Sequence, residues 1–270
     1  LATEPSWAKW WPGDSKPTGG VEPANIFTYK TDTFFITKIS HNNFDISISH
    51  HDSSLSSQMN IFPLPDNAMA VKWHTSFNTS SNPLKRYTSY QEAVALKENM
   101  QAILTSMQIF LSKKENIYGR PFREESTKDS ILLTYKTVSG TYPTTAFVYS
   151  IISNLRKMSI DNGAAITGSP MLNITAEASG SYKVMVALPI NKELKEKNGY
   201  YISRLIPGKF ITAEVKGGEA TVDETFRNIQ FYFQDYKRVT MAIPFQYLVT
   251  DRSTEPDTTK WVTKIYAPVY

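Results

Sequence analysis

The chain has 270 residues, 41% of them hydrophobic, and a formal charge of +4 with a pI near 9.0. That length supports two domains with sizeable cores. The Lys and Arg residues are dispersed and no nucleic-acid-binding motif is present, so no nucleic-acid partner is expected. The absence of cysteine excludes disulfides and thiolate chemistry. No apolar run reaches the 18 or so residues that span a bilayer.

The sequence begins at Leu1 rather than at a methionine, which suggests a processed or trimmed form. Membrane association is therefore expected only through a segment upstream of Leu1. The location is expected to be either cytoplasmic or at a membrane through such a missing N-terminal segment.

The first half of the chain has the pattern of antiparallel strands closed by one long helix. Short β-rich runs are separated by clusters of Asn, Asp, Ser and Pro, as hairpins require. These runs lie at residues 26–29, 34–39, 44–49, 59–62 and 68–77. Apolar residues at helical spacing then form one stripe from Leu96 to Leu111, with Thr88 or Ser89 as the expected cap.

Tryptophans and histidines are the unusual residues of this half. Two alternatives are open for Trp7, Trp10 and Trp11: they cap or line a cavity, or they are partly exposed and form a contact surface. The histidines show no HxH or HxxxH spacing, which favours turn or surface positions over a metal site. They are His41, His50, His51 and His74. We expect neither a metal nor another cofactor.

A charged segment at 113–129 is the natural domain boundary, and a pattern beyond it occurs twice. Strand-like runs at 184–190 and 263–269 both end in an apolar-Pro-apolar triplet. Each is preceded by a helical stripe and, before that, by a strand ending in Val-x-Gly. Val138 and Pro189 are 51 residues apart, and Val215 and Pro268 are 53 apart. Two such β-α-β-β units predict a duplicated domain that encloses a cleft.

The fold class predicted from these patterns is α+β. An antiparallel domain at 1–118 is followed by a duplicated β-α-β-β domain at 128–270, with copies at about 131–191 and 200–270. The helices of the two copies are expected at about 144–159 and 222–237, the second capped by Thr221.

Residues from about 130 to 270 resemble the GyrI-like domain, the effector-binding domain of AraC-type and multidrug-sensing regulators. The residues that carry the resemblance are the paired β-α-β-β units, Ile-Pro-Gly-Lys at 206–209 and Trp-Val-Thr-Lys-Ile-Tyr-Ala-Pro-Val at 261–269. The resemblance implies a curved antiparallel sheet, helices on its outer side and a central apolar pocket for small organic molecules.

The first half resembles a helix-grip domain of the SRPBCC superfamily, which includes START and polyketide-cyclase-like proteins. The resemblance rests on Trp-Ala-Lys-Trp-Trp-Pro at 7–12, the run of hairpins and the long final helix. The strand that normally precedes the tryptophan segment is missing here. Members of this superfamily hold a ligand between sheet and helix.

Strand alternation selects candidate ligand-binding residues. On the last strand, Lys264 and Tyr266 lie on one side and Ile265 and Ala267 on the other. If Ile265 and Ala267 pack under the helices, Lys264 and Tyr266 face the cleft. The same alternation puts Phe210 and Glu214 on the cleft side. Two alternatives are open for Glu214: it neutralises Lys264, or it is an ordinary surface carboxylate. The second is favoured because charged side chains are usually solvated unless paired. The aromatic residues Tyr135, Tyr247 and Trp261 are added because they lie on or beside strands and are able to stack on a flat ligand.

The resemblance gives Lys264 a particular meaning, because GyrI-like proteins usually carry glutamate there. A lysine disfavours a cationic ligand and favours an anionic or neutral one. Asp251 and Asp257, which flank Arg252 in the last hairpin, are interpreted as part of a solvated turn.

Three functions remain open. The first is non-catalytic binding of a small apolar or amphipathic molecule, as a sensor or sequestering protein. The second is a hydrolase of small organic compounds in the same cleft, with Glu214 as general base and Tyr266 or Tyr135 as acid. The third is a module that acts on a protein partner through its surface.

Overall fold

The computed structural model describes residues 4–16, 25–51, 53–65, 68–78, 80–196, 199–240 and 242–269. The chain divides into two compact units, Leu1–Lys113 and Lys114–Tyr270. Antiparallel sheets and helices build both units, so the predicted α+β class is confirmed. No helix within the described ranges has the length and apolar character needed to span a membrane.

In the described part of the first unit, six strands pair in sequence order. They are β1 Ser15–Lys16, β2 Ile26–Tyr29, β3 Asp32–Ser40, β4 Asn43–His50, β5 Ser53–Pro63 and β6 Met69–Thr75. A short 3-10 helix, Glu4–Lys9, precedes them and helix α1, Pro83–Leu111, follows. The cap of α1 is Asn82, which accepts a hydrogen bond from the Leu84 N–H at 2.9 Å. The predicted cap at Thr88 or Ser89 was wrong because Asn-Pro already supplies a cap and a first helical residue.

The tryptophans belong to the core of the first unit. Trp7, Trp10 and Trp11 are at most 6% exposed and pack with strand residues and with the apolar stripe of α1. The Trp11 Nε1–H donates to the Thr28 carbonyl oxygen at 2.9 Å. A partly exposed tryptophan contact surface is therefore excluded, and the aromatic rings fill the space between sheet and helix.

A buried polar cluster also joins the sheet to α1. His50 Nδ1 lies 2.5 Å from the Asp32 carboxylate, whose second oxygen accepts from the Asn99 amide at 2.8 Å. All three side chains are buried. The expectation of turn or surface positions was thus wrong for His50, because its aspartate partner lies 18 residues away and compensates its burial.

The second unit begins with helix α2, Lys114–Tyr118, which packs on a later helix at Glu219–Asp235. The strands of its sheet within the described residues are β7 Arg123–Ser126, β8 Ser130–Ser139, β9 Met171–Ala176, β10 Tyr182–Ile190, β11 Tyr200–Leu205, β12 Lys209–Lys216, β13 Phe245–Leu248 and β14 Val262–Val269. Helix α3, Thr145–Asp161, and helix α4, Glu219–Asp235, lie on one side of it.

The strand order in this sheet is β11-β8-β10-β9-β13-β14-β12-β7. We call the first four strands of this order the first half-sheet and the last four the second half-sheet. Each half-sheet receives its outermost strand from the other part of the chain. Strand β7, which precedes β8 in the chain, pairs with β12. Strand β11, which precedes β12, pairs with β8.

This exchange requires the sheet to curl. Six strand spacings separate β7 from β8, which is about 29 Å in a flat sheet at ~4.8 Å per spacing. The three residues that join these strands span only about 14 Å when extended. The same holds for the link 206–208 between β11 and β12. The two links meet, since the Thr127 N–H donates to the Gly208 carbonyl oxygen at 3.0 Å.

Both helices bury their apolar stripe on the convex face of the sheet. Thr144 caps α3 through a hydrogen bond from the Phe147 N–H. Gly218, not the predicted Thr221, is the cap of α4. The reason is that the Gly-Gly pair lets the chain turn from β12 into the helix one turn earlier.

Candidate functional site

The concave face of the curled sheet forms a cleft. Its apolar floor contains Leu132, Met171, Ala187, Phe210 and Phe245, which form a buried cluster separate from those beneath the helices. The residues between them along each strand point to the convex face, as alternation requires.

The open space in this cleft lies over the first half-sheet and has a volume of about 340 Å³. We call this space the cavity. Its apolar walls come from seven strands, β8 to β14, and from two links. They are Leu132, Met171, Met185, Ala187, Leu205, Ile206, Phe210, Ile243, Phe245 and Pro268. Polar groups are contributed by Thr134, Lys136, Asn173, Tyr201, Ser203, Arg204 and Lys209. The volume is within the range of small-molecule sites, roughly 300–1,000 Å³.

Large side chains occupy the second half-sheet. The rings of Phe245 and Tyr266 stack with centroids 5.1 Å apart and an interplanar angle of 5°. Tyr247 contacts both rings edge-on, at 5.5 and 5.1 Å, and Phe210 does so at 5.7 and 5.9 Å. Burial raises the pKa of the Tyr247 hydroxyl. These four aromatic residues therefore form one wall of the cavity and fill the space behind it.

Lys264 lies beside this wall in an ion pair. Its Nζ is 2.8 Å from Glu125 Oε2, and Glu125 Oε1 accepts from the Thr212 hydroxyl at 3.0 Å. The hydrogen bond from Lys264 holds the pKa of Glu125 below its usual value. Partial burial by itself lowers the pKa of Lys264, but the hydrogen bond to Glu125, supported by Tyr266, outweighs it and the pKa is raised.

Of the candidate residues, Phe210, Tyr247, Lys264 and Tyr266 come together on the concave face, and Phe210 lines the cavity. Glu214 is directly opposite Lys264 on the neighbouring strand but is exposed. Glu214 is therefore a surface carboxylate, the alternative that the sequence favoured, and Glu125 on β7 neutralises Lys264.

Two candidates lie outside the cleft. Tyr135 packs with the convex-face cluster and against the ring of Tyr200 at 4.9 Å, since its position on β8 alternates with the inward-facing Thr134. Trp261 precedes β14, and the guanidinium of Arg252 lies over its ring at 4.8 Å. Neither side chain is in a position to stack on a ligand in the cavity.

The sequence interpretation missed Lys136 and Tyr201, which line the cavity, and Glu125. Lys136 Nζ lies 4.8 Å from the centroid of the Tyr201 ring. The Tyr201 hydroxyl is buried, and no described group bonds to it. Alternation along β8 alone would have placed Lys136 on the same face of the sheet as Thr134. The positions of Tyr201 and Glu125 depend on the exchanged strands.

Arg252 forms a separate buried site on the convex side. Its Nη2 donates to the Thr263 hydroxyl at 2.7 Å, and burial lowers the pKa of its guanidinium. The predicted solvated turn was wrong for this residue. The adjoining space between α3 and α4 is about 10 Å³, enough for no more than a water molecule. No group of three His, Asp or Glu side chains suited to a metal occurs among the described residues.

Comparison with known proteins gives structural matches only. No family profile and no curated protein matches the chain. The chain is similar to EcmrR in a cryo-EM structure of an EcmrR–DNA complex, with a TM-score of 0.51 and 14% identity over 77% of this chain and 88% of that one. It is also similar to the crystal structure of the EcmrR C-terminal domain, with a TM-score of 0.49 and 13% identity over 56% of this chain and 98% of that one. For SAV2435 bound to tetraphenylphosphonium the TM-score is 0.36 and the identity 17%, over 56% of this chain and 94% of that one.

At such low identity the likeness to the EcmrR complex shows a common fold and nothing about ligands. Together with the curled sheet and its convex-face helices, it confirms the predicted GyrI-like fold of the second unit. The relation of the first unit to the SRPBCC superfamily stays a prediction.

Proposed function

We propose that the second unit binds a small apolar or amphipathic organic molecule in the cavity, without chemical turnover, as a sensor or a sequestering protein. The observation that carries this proposal is the cavity itself: about 340 Å³ of open space between mostly apolar walls. Such walls gain free energy when an apolar ligand replaces water, about 25 cal/mol per Å² of apolar surface buried.

The mouth of the cavity supports the same function. Ile206 is 76% exposed and Ile243 is 56% exposed, and both border the opening. Neighbouring exposed apolar side chains at the rim of a concave site are typical of ligand-binding surfaces. A bound molecule of suitable length would cover them.

The hydrolase alternative has weaker support. General acid–base catalysis at neutral pH favours a carboxyl group whose pKa is raised. Glu125, the carboxylate next to Lys264, has a lowered pKa, and Glu214 is exposed. Tyr135, one of the two acids considered, lies on the other face of the sheet from Glu214.

The test is saturable binding of the apolar fluorescent probe N-phenyl-1-naphthylamine and its loss when the cavity is filled. The Ala187→Tyr variant introduces the ring that Tyr266 provides on the second half-sheet, and we expect at least ten-fold weaker binding. Ala146→Tyr, at an exposed position of α3, serves as the matched control and is expected to bind normally.

Two results would contradict the proposal. One is probe fluorescence that does not saturate at one molecule per chain. The other is equal affinity in the wild type and the Ala187→Tyr variant. Mass spectrometry of the recovered probe or of any co-purified ligand tests the absence of turnover.

A further inference from the structure

The hydrogen-bond register shows which positions of the two half-sheets correspond. Thr134 lies between Ala187 on one neighbouring strand and Tyr201 on the other. Thr212 lies in the same way between Tyr266 and Arg123. The two threonines are therefore equivalent, and so are Ala187 and Tyr266.

The same register relates the remaining side chains. Met171 is opposite Ala187, and Phe245 is opposite Tyr266, so Met171 corresponds to Phe245. Ser203 and Glu125 correspond as well, because they are opposite Leu132 and Phe210. Each pair has a large or charged residue on the second half-sheet and a smaller or neutral one on the first.

The second half-sheet thus contains, in its own side chains, an aromatic ring and a carboxylate. The ring of Tyr266 stacks on Phe245, and the carboxylate of Glu125 bonds to Lys264 and Thr212. On the first half-sheet the ring is replaced by the methyl group of Ala187 and the carboxylate by the hydroxyl of Ser203. The cavity occupies the space that these two substitutions leave open.

The partners of such a carboxylate are nevertheless present on the first half-sheet. Thr134 is retained, with its Oγ1 2.6 Å from Ser203 Oγ. Lys136 on β8 is directly opposite Met185 on β10, and Met185 occupies the position that corresponds to Lys264 on β14. No carboxylate pairs with Lys136 among the residues that the structure describes.

The hydroxyl of Tyr201 points to the same ligand group. It is buried at the cavity wall, close to Lys136, without a described hydrogen-bond partner. Buried hydroxyl groups are normally satisfied, so an unsatisfied one beside a cavity indicates an acceptor that is supplied by a ligand. A lysine and a tyrosine hydroxyl together present a cation and a donor, as a carboxylate requires.

We propose, building on the proposed function, that the ligand of the cavity is an aromatic carboxylate. Its carboxylate group lies between Lys136 Nζ and the Tyr201 hydroxyl. Its ring lies over Met171 and Ala187, in the place that corresponds to the ring of Tyr266. The first half-sheet thereby receives from the ligand the groups that the second half-sheet carries itself.

The experiment compares three probes of one shape by isothermal titration calorimetry on the full chain: 2-naphthoate, 2-naphthamide and 2-naphthylmethylammonium. We expect 2-naphthoate to bind at least ten-fold more tightly than the amide, and the ammonium compound to bind most weakly. Lys136→Met is expected to reduce naphthoate affinity to that of the amide, and Tyr201→Phe to reduce it by three- to ten-fold. Lys157→Met, which removes an exposed lysine from α3, is the control and should change nothing.

The outcomes separate the two proposals. If the amide or the ammonium compound binds as tightly as naphthoate, or if Lys136→Met has no effect, the carboxylate inference fails while ligand binding in the cavity stands. If naphthoate binding is unchanged by Ala187→Tyr, the ligand is elsewhere and the inference also fails. If none of the three compounds binds, the carboxylate inference fails, and saturable binding of N-phenyl-1-naphthylamine decides separately whether the proposed function stands.

Discussion

Lys264 and Glu125 form an ion pair at the edge of a hydrophobic wall, and both side chains remain about one-third exposed, at 31% and 33%. Ion pairs with this much solvent contact contribute little to stability, typically below about 1 kcal/mol. The pair therefore matters mainly for charge. It neutralises the carboxylate of Glu125 beside the cavity, where an unpaired carboxylate would repel an anionic ligand.

We predict that Glu125→Gln lowers the free energy of unfolding by under ~1 kcal/mol at pH 7. Because the folded-state pKa of Glu125 is lowered, its stabilising contribution is present above the unfolded value near ~4.3 and is lost as the pH falls through the folded pKa. The difference between wild type and variant should therefore shrink as the pH falls below the unfolded value of about 4.3 and through the lowered folded-state pKa of Glu125. Urea denaturation at several pH values measures it.

The control for this prediction is Glu224→Gln, at an exposed position of α4. It is expected to change stability little at any pH. A wild-type advantage over Glu125→Gln that stays constant down to pH 3 would contradict the assigned cause.

At this scale the sequence reveals which side chains share a strand face but not which strands are neighbours. Alternation along β14 is local, so Lys264 and Tyr266 had to lie on the same face. The partner of Lys264 comes from β7, 139 residues earlier in the chain. No local pattern encodes that pairing, so Glu214, on the strand next to Lys264, was the only partner that the sequence suggested for it.

The Val-x-Gly motif that ends β8 and β12 shows how one pattern serves two different local structures. Gly217 has a φ of +136°, and a Cβ there would lie 2.8 Å from Thr221 Oγ1. A Cβ at Gly140 would meet nothing within 4 Å. The motif is thus required by backbone geometry only where the chain turns at once into α4. At Gly140 four further residues precede the helix.

We therefore predict different effects of the same substitution at the two positions. Gly217→Ala should lower the free energy of unfolding by roughly 1–3 kcal/mol, because the residue must keep an unfavourable φ and displace Thr221. Gly140→Ala should leave it within ~0.5 kcal/mol or raise it slightly, because alanine restricts the unfolded chain. Urea denaturation of the two variants compares them directly, and equal effects would refute the assignment.

At the scale of the whole molecule, each unit has a core made of its own residues. The tryptophan-rich cluster draws on residues 7–111, and the three clusters of the second unit draw on residues 118–269. The sequence predicted the α+β class and the GyrI-like fold from periodicity and motif. It did not indicate that β7 and β11 are exchanged between the half-sheets, because a short strand such as Arg-Glu-Glu-Ser carries no hydrophobic alternation.

The exchange determines where the second domain must begin, and this leads to a prediction on two fragments. Residues 114–270 keep α2 and β7, and we expect this fragment to unfold cooperatively and to bind ligand as the full chain does. Residues 128–270 follow the boundary that the sequence favoured but lack both elements. That fragment exposes the edge of β12, leaves Lys264 unpaired and uncovers part of α4.

An uncovered strand edge promotes association between chains. The shorter fragment should consequently have a Tm that is several °C lower and should aggregate more readily. It keeps β11, which lines the cavity over the first half-sheet. Thermal unfolding and light scattering of both fragments at equal concentration measure these differences. If the two fragments prove equally stable and equally monomeric, β7 has no structural role at the sheet edge, and the closure of the curled sheet must come from the helices and links alone.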